Sequence, residues 1–132
     1  MSRYAFELAG AIGAALIFAA VAPAIHAAPD EAVVLADFFT GTLEIDVLAA
    51  GWSTRRYLAA DHTYTETGSD GPVRGAWALQ DGKVCTTADR PLGDDRLKTY
   101  CTAAVGKHAG DVWRAEDPVT GNTVMFRLSP GR

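Results

Sequence analysis

The sequence is poor in basic charge, and this shortage excludes one class of partner. Its 132 residues include 12 Lys and Arg against 16 Asp and Glu, for a net charge of −4, and no basic run is present. Because a phosphate backbone attracts clustered positive charge, a nucleic-acid partner is not expected. The 48% hydrophobic content excludes a disordered chain. The length excludes a large catalytic barrel, which needs about 250 residues, and limits the chain to one domain.

Histidines and paired carboxylates are also few, and their placement does not indicate catalysis. His62 and His108 lie in predicted turns, outside any nucleophile motif. The pairs Asp94-Asp95 and Glu116-Asp117 are adjacent in sequence, and neighbouring carboxylates usually diverge. The sequence has no His-Glu-x-x-His motif, EF-hand loop or Gly-rich phosphate loop. We therefore expect no enzyme, no cofactor and no metal site, and a small hydrolase is an alternative.

The N-terminal segment has the profile of a secretory signal peptide. Arg3 gives it a positive start, and no charge interrupts residues 8–25. Cleavage after Ala27 is predicted, because the next cut would place Pro29 beside the scissile bond. Residues 28–132 then form one domain in the periplasm or outside the cell, with no membrane span. The alternative is an uncleaved anchor, since about 18 apolar residues can just span a bilayer.

The sequence has only two cysteines, Cys85 and Cys101, and both follow the export segment. Because an exported chain meets an oxidising compartment, a disulfide between them is predicted. The two residues are 16 positions apart, and closing a loop of that size stabilises a fold by about 3 kcal/mol in the chain-entropy model. A free catalytic thiol and a metal pair remain alternatives, although the close ligand spacing of a zinc site is absent.

The spacing of apolar residues predicts one short helix followed by antiparallel β-structure. From Asp30 to Thr40 apolar residues recur at helical intervals, with Asp30 as N-cap and Gly41 as the C′ residue. Short alternating segments follow, separated by turns rich in Gly, Asp and Asn. The predicted strands are Thr42–Val47, Ser53–Ala59, Thr63–Thr67, Val73–Leu79, Lys83–Thr86, Leu97–Ala103, Val112–Glu116 and Thr123–Leu128. Their short connections favour a mainly β fold, an antiparallel meander forming a small barrel or half-barrel.

Alternation on the clearest strands predicts which side chains pack in the core. The two predicted core faces are Val73, Gly75, Trp77 and Leu79 on one strand, and Val124, Phe126 and Leu128 on another.

The candidate binding residues are Arg55, Arg56, Tyr57 and Trp77. Arg56 and Tyr57 face opposite sides of a strand, so one arginine can lie beside the core or a cavity, where it needs an acidic partner or an anionic ligand. The interpretation that we favour places Tyr57 and Ala59 on the core side, with Arg55 at the rim. Trp77 can stack on a ligand, but a small β domain also needs bulky side chains in its core, and we favour core filling.

The order of short motifs resembles that of a group of small, mostly uncharacterised exported bacterial proteins. The motifs are Phe38-Phe39-Thr40-Gly41-Thr42, Tyr57-Leu58-Ala59-Ala60-Asp61-His62-Thr63-Tyr64, Gly75-Ala76-Trp77-Ala78-Leu79, Cys85 and Tyr100-Cys101. The resemblance covers nearly all of residues 28–132 and implies a lipocalin-like antiparallel β-fold with no established activity. His62 stands where that pattern has Gly, which leaves the type of this turn open.

A partial resemblance links the chain to periplasmic inhibitors of secreted metalloproteases, which are small β-barrels with a disulfide. It rests on the Gly-Ala-Trp-Ala-Leu strand at 75–79, the two cysteines and the later Trp113. In those inhibitors the Trp strand follows soon after the mature N-terminus, which enters the protease cleft, whereas here about 47 residues separate the two. An inhibitory role for Ala28-Pro29-Asp30 is the function that this resemblance implies.

These features predict a soluble, exported, non-catalytic binding or interaction module for a small ligand or an exported protein, with protease inhibition as the alternative. The barrel interior distinguishes the possible roles. A sealed interior packed by Trp77, Val124 and Phe126 would indicate a structural or protein-binding role. An open cavity that reaches Arg55 or Arg56 would indicate an anionic or amphipathic ligand.

Overall fold

A computed structural model describes residues 30–93 and 96–132, which form two short helices and eight strands. The predicted signal peptide, residues 1–27, and the pair Asp94-Asp95 lie outside the described residues. The elements are α1 Glu31–Val34, α2 Ala36–Thr40, β1 Gly41–Val47, β2 Trp52–Leu58, β3 Thr63–Gly68, β4 Val73–Gln80, β5 Lys83–Ala88, β6 Thr99–Ala103, β7 Val112–Glu116 and β8 Thr123–Pro130, with a 3₁₀ turn at Leu48–Ala50. Across these two ranges, no helix is long and apolar enough to cross a membrane.

The strand pattern read from the sequence is confirmed. Each of the eight predicted segments is a strand whose ends differ from the prediction by at most two residues. Turn chemistry explains this agreement, because the connections carry the residues that tolerate a positive φ. His62 is one such turn residue, with a φ of 69°, in the left-handed region that usually favours glycine.

The predicted short helical segment is present, but it is divided into two helices. Asp30 is the N-cap, as expected, and its carboxylate accepts a hydrogen bond from the Ala32 amide. Leu35, whose side chain is fully buried, then leaves helical geometry with φ −108° and ψ 16° and divides the segment into α1 and α2. Gly41 is not a left-handed C′ residue but the extended first residue of β1. A Cβ there would lie 2.5 Å from the Asp37 carbonyl oxygen, so glycine permits a close backbone approach.

The strands form one antiparallel sheet that curls into a nearly closed barrel. Its order within the described ranges is β6-β5-β4-β3-β2-β1-β8-β7, so the first six strands are a meander and β8 returns to pair with β1. The predicted mainly β, antiparallel barrel is therefore confirmed. The barrel has a seam between β6 and β7, the two strands at the ends of that order.

The predicted core faces point into the barrel. Val73, Trp77, Val124, Phe126 and Leu128 are all buried, and the neighbouring residues on the opposite faces are more exposed. Gly75 also lies on this face, where a Cβ would collide with the Thr87 carbonyl oxygen of β5 at 2.0 Å. The period-two pattern thus identifies the interior correctly on both strands.

The two helices lie against one end of the barrel, which we call the helix end. Phe38 of α2 is buried and meets Trp113 edge-on, at 6.5 Å between ring centroids. Phe39 packs on Trp77 at 5.7 Å, and the Trp77 indole donates a hydrogen bond to the Ala59 carbonyl oxygen at 2.8 Å. Apolar and aromatic side chains therefore fill the barrel at this end.

The predicted disulfide is present. Cys85 on β5 and Cys101 on β6 are directly opposite in the antiparallel register and are bonded to each other. Since β6 borders the seam and has β5 as its strand partner, the disulfide adds a covalent link where the sheet has a free edge.

Replacing both cysteines by alanine is expected to lower the free energy of unfolding by about 3 kcal/mol, because the unfolded chain regains the freedom of the closed loop. Equilibrium denaturation with urea measures this loss. Adding a reductant should destabilise the wild-type protein by a similar amount and leave the C85A/C101A variant unchanged. A wild-type midpoint insensitive to reduction would contradict the prediction.

Candidate functional site

A cavity of about 170 Å³ lies at the opposite end of the barrel, which we call the loop end. The loop end carries the 3₁₀ turn Leu48–Ala50, the segment before β6 and the turn between β7 and β8. The cavity is lined by Ile45, Val47, Ala50, Trp52, Arg56, Arg96, Leu97, Tyr100, Asp117, Thr120, Asn122 and Val124. These residues come from both sides of the seam, because Tyr100 belongs to β6 and Asp117 directly follows β7. Most of the lining near β1 and β8 is aliphatic.

A buried ion pair lies beside this cavity. Arg56 on β2 is directly opposite Glu66 on β3 in the strand register, and the two residues are 3% and 1% exposed. The Arg56 Nε donates to Glu66 Oε1 at 2.7 Å, and its Nη2 is 2.5 Å from the same oxygen. Two opposite charges at this separation compensate one another, which a buried charge requires.

Further polar groups extend the pair toward the loop end. The Thr54 hydroxyl lies 3.4 Å from Glu66 Oε2 and 3.1 Å from the Thr67 carbonyl oxygen, and the Arg96 guanidinium lies 3.6 Å from Glu66 Oε2. Arg96 also pairs with Asp70 and covers the Trp52 ring, at 4.5 Å from its Cζ to the ring centroid. Among the described residues this cluster therefore contains two arginines and two carboxylates, and its charges balance.

Two buried N–H donors, carried by residues of the cavity lining, have no hydrogen-bond partner among residues 30–93 and 96–132. They are the Arg56 Nη1 and the Trp52 Nε1. Both residues lie on the inward face of β2, separated by Thr54. Buried donors are nearly always paired with protein, water or ligand, so these two groups mark a place where a polar atom is expected to bind.

Tyr100 and Asp117 lie at the seam side of the cavity. Burial raises the pKa of the Tyr100 phenol above its ordinary value of 10.0, the negative charge of Asp117 raises it further, and Arg56 acts in the opposite direction. Asp117 accepts hydrogen bonds from the backbone amides of Val119 and Thr120 at 2.8 and 3.2 Å. The carboxylate thus holds the turn that closes this side of the cavity.

The predicted binding residues are dispersed over the barrel. Arg56 lines the cavity, whereas the Arg55 side chain is 63% exposed on the outer face, 3.9 Å from Glu44. Tyr57 is half-buried, also on the outer face, where Arg132 covers its ring at 5.9 Å. Trp77 is buried at the helix end, as expected for a core residue.

The favoured assignment of the β2 faces is wrong, because the inward side carries Thr54, Arg56 and Leu58 and not Tyr57 and Ala59. The alternative, with an arginine inward beside an acidic partner, is the one observed. That partner, Glu66, is two residues after Tyr64 on β3, so the two side chains lie on the same face of the strand. An inward aromatic residue at 64 is the sequence signal that Glu66 also points inward. Arg96 lies outside the strands, where no periodicity indicates its direction.

The two histidines in the described part of the chain lie at the helix end, away from the cavity. His62 Nε2 is 2.7 Å from a carboxylate oxygen of Glu31, and its ring packs on Trp77 at 4.4 Å. His108 Nδ1 is 3.6 Å from Asp37. His62 therefore connects its turn to α1, and His108 connects its turn to α2. Over the described ranges, no group of three or more His, Cys, Asp or Glu side chains could hold a metal ion.

No family model matches the chain, and neither the curated proteins nor the solved structures contain a detectable relative. The function is therefore inferred from the geometry of this chain.

Arg56→Met is expected to lower the free energy of unfolding by about 3–5 kcal/mol, because Glu66 would remain buried without its counter-charge. Arg55→Met is the matched control and should cost less than about 1 kcal/mol, since its ion pair is exposed to solvent. The double variant Arg56→Met/Glu66→Met should recover most of the loss. Urea denaturation of the three variants checks this, and equal losses for Arg55→Met and Arg56→Met would contradict the assigned faces.

The Tyr100 phenol is expected to titrate at lower pH in Asp117→Asn than in the wild-type protein, because the substitution removes a negative charge that opposes ionisation. Because burial and Asp117 disfavour the ionised phenol in the folded protein, stability is unaffected by Tyr100 below pH 10 and falls as the pH rises through the raised folded-state pKa.

NMR titration of ring-labelled tyrosine measures the change in the Tyr100 pKa. Tyr64 is the internal control, since burial and Glu66, not Asp117, raise its pKa. An unchanged Tyr100 pKa in Asp117→Asn would contradict the prediction, because it would mean that the charge of Asp117 does not act on the Tyr100 phenol.

Proposed function

We propose that the protein is an exported, non-catalytic binding module that holds a small amphipathic molecule in the cavity at the loop end. The cavity volume, about 170 Å³, supports this role. An apolar cavity of about 150 Å³ is enough to bind benzene, so the volume suits a molecule of roughly that size. The aliphatic lining offers a surface for the apolar part of the ligand.

The observation that carries the proposal is the pair of unpartnered donors, Arg56 Nη1 and Trp52 Nε1. Buried donors of this kind usually have a partner, and Trp113 Nε1 and the Thr102 hydroxyl also lack one among the described residues. What distinguishes Arg56 and Trp52 is that both residues belong to the lining of one cavity. Their position in an otherwise largely apolar cavity supports a ligand with one polar end and one apolar end. The contrast between the filled helix end and the cavity at the loop end supports entry from the loop end.

A non-catalytic role is supported by the location of the histidines. His62 and His108 each pair with a carboxylate of a capping helix, at the end of the barrel opposite Arg56. General base catalysis needs such a group within hydrogen-bond reach of the reacting atom. Neither histidine has that relation to the cavity.

Export is supported by the signal-like N-terminal sequence and by the Cys85–Cys101 disulfide, which persists in oxidising compartments. The up-and-down order of the strands is consistent with the proposed resemblance to small exported proteins with a lipocalin-like fold. Protease inhibition through a free N-terminal end has less support, because Asp30 caps α1.

Native mass spectrometry of the protein recovered from a bacterial periplasm tests the proposal. The expected species begins at Ala28, contains the disulfide and retains a noncovalently bound small molecule. Ala50→Phe should abolish retention, because Ala50 lines the cavity and a phenyl ring would occupy it. Ala49→Phe is the matched control, since both alanines are exposed on the same turn but Ala49 is not part of the lining.

Wild-type protein that is recovered empty, and that stays empty after incubation with benzene-sized neutral and anionic aromatic molecules, would contradict the binding role. A mass that includes residues 1–27 would contradict the predicted cleavage after Ala27 and would leave the binding role intact.

A further inference from the structure

We infer that the head group recognised in this cavity is a neutral hydrogen-bond acceptor, such as a ketone, ester or amide carbonyl oxygen, and that carboxylates are rejected. The inference rests on the proposed binding function and specifies the chemical class of its ligand. It follows from the charges and hydrogen bonds around Arg56. An arginine in a pocket would by itself indicate an anionic ligand.

The charge of Arg56 is already compensated. Glu66 lies directly opposite and is bonded through Oε1 to two nitrogens of the guanidinium. Arg96 is likewise balanced by Asp70. An anionic ligand would therefore add an uncompensated negative charge to a buried cluster in which positive and negative charges are equal in number. Removing that charge from water would not be repaid, because both arginines in the described part of the lining already have carboxylate partners.

Acidic groups close to the proposed head group oppose an anion further. Both oxygens of Glu66 lie within the same cluster as Arg56 and are nearly inaccessible to solvent. Asp117 lies across the cavity and is close enough to Tyr100 to affect its ionisation. A carboxylate bound at Arg56 would thus be repelled by the adjacent Glu66 and would enter a cavity that Asp117 also lines, whereas a neutral ligand would meet no such repulsion.

On the two β2 residues of the lining, the buried polar atoms without a partner are both donors. Arg56 Nη1 and Trp52 Nε1 carry N–H groups without acceptors among the described residues, while Glu66 Oε1 is bonded by Arg56 and Oε2 has the Thr54 hydroxyl at 3.4 Å and the Arg96 guanidinium at 3.6 Å. A carbonyl oxygen has two lone pairs and no proton, so it can accept from either or both of these donors. A head group that must donate would find no free acceptor on Glu66.

Ordered water is the competing occupant. A water molecule takes up about 30 Å³ of liquid, so a cavity of this volume has room for several, and they could satisfy the same donors. Water alone would give no discrimination between ligands that differ only in the head group. The preference among such ligands therefore separates the two explanations.

Three probes of similar shape test the inference on the intact wild-type protein at neutral pH: acetophenone, ethylbenzene and benzoate. Acetophenone and ethylbenzene differ by a carbonyl oxygen, and benzoate replaces it with an ionised carboxylate. Isothermal calorimetry or ligand-observed NMR measures the dissociation constants. Acetophenone is expected to bind about tenfold more tightly than ethylbenzene, which corresponds to one hydrogen bond, and at least about tenfold more tightly than benzoate.

Two variants assign the preference to the groups named. Trp52→Phe removes one donor and should reduce the ratio of acetophenone to ethylbenzene affinity. The ratio is the readout, because the smaller ring also changes the cavity wall that both probes contact. Glu66→Gln removes one negative charge at constant shape and should shift the preference toward benzoate. Glu44→Gln is the matched control, because Glu44 is a carboxylate beside Arg55 on the outer face and should have no effect. If Glu66→Gln does not fold, the wild-type series and Trp52→Phe still decide the question.

The outcomes separate this inference from the binding function. Tighter binding of benzoate than of acetophenone by the wild-type protein would overturn the neutral head group and leave the binding function intact. Equal affinities for acetophenone and ethylbenzene would also overturn it, in favour of a hydrated cavity that binds apolar molecules without recognising a head group. Binding of none of the three probes would reject both proposals.

Discussion

The buried ion pair between Arg56 and Glu66 is the constraint on which the loop end of this barrel depends. Both side chains are almost completely removed from water, so each needs the other within hydrogen-bonding distance. The antiparallel register of β2 and β3 supplies this by placing them directly opposite. Thr54 and Arg96 engage the second oxygen of Glu66, and the Tyr64 ring lies 5.4 Å from the Arg56 Cζ. The interior of the barrel around Arg56 is therefore a polar network in which Arg56, Glu66 and Arg96 each contact more than one other side chain.

The two ends of the barrel differ because different groups close them. At the helix end, Phe38, Phe39 and Trp77 form aromatic contacts that fill the interior. At the loop end, two guanidinium groups must keep their partners, and apolar side chains cannot replace them without leaving a carboxylate unpaired. Space remains between this cluster and the aliphatic side chains of β1 and β8. A cavity that combines apolar walls with a few fixed polar groups is typical of small-molecule sites.

The seam has a related role, because it brings segments that are distant in sequence to the same cavity. Tyr100 on β6 and Asp117 after β7 lie on its two sides, where burial and then the negative charge of Asp117 raise the pKa of Tyr100. The disulfide holds β6 to β5 where the sheet ends. A barrel with an unpaired boundary can vary its width there more easily than a closed one, since no ladder of backbone hydrogen bonds must break.

The sequence by itself determined the eight strands, the inward faces of β4 and β8 and the pairing of its two cysteines. These features follow from local alternation, from turn residues and from the absence of any other cysteine. The site was only partly predictable. Arg56 was a candidate, but two consecutive arginines have opposite directions on a strand, and their residue types do not show which one is inward. Only the tertiary structure decided this. The strand register sets Glu66 opposite Arg56, and the segment before β6 brings Arg96 to the same carboxylate. The physical reason is that the energy of a buried charge depends on its neighbours in space.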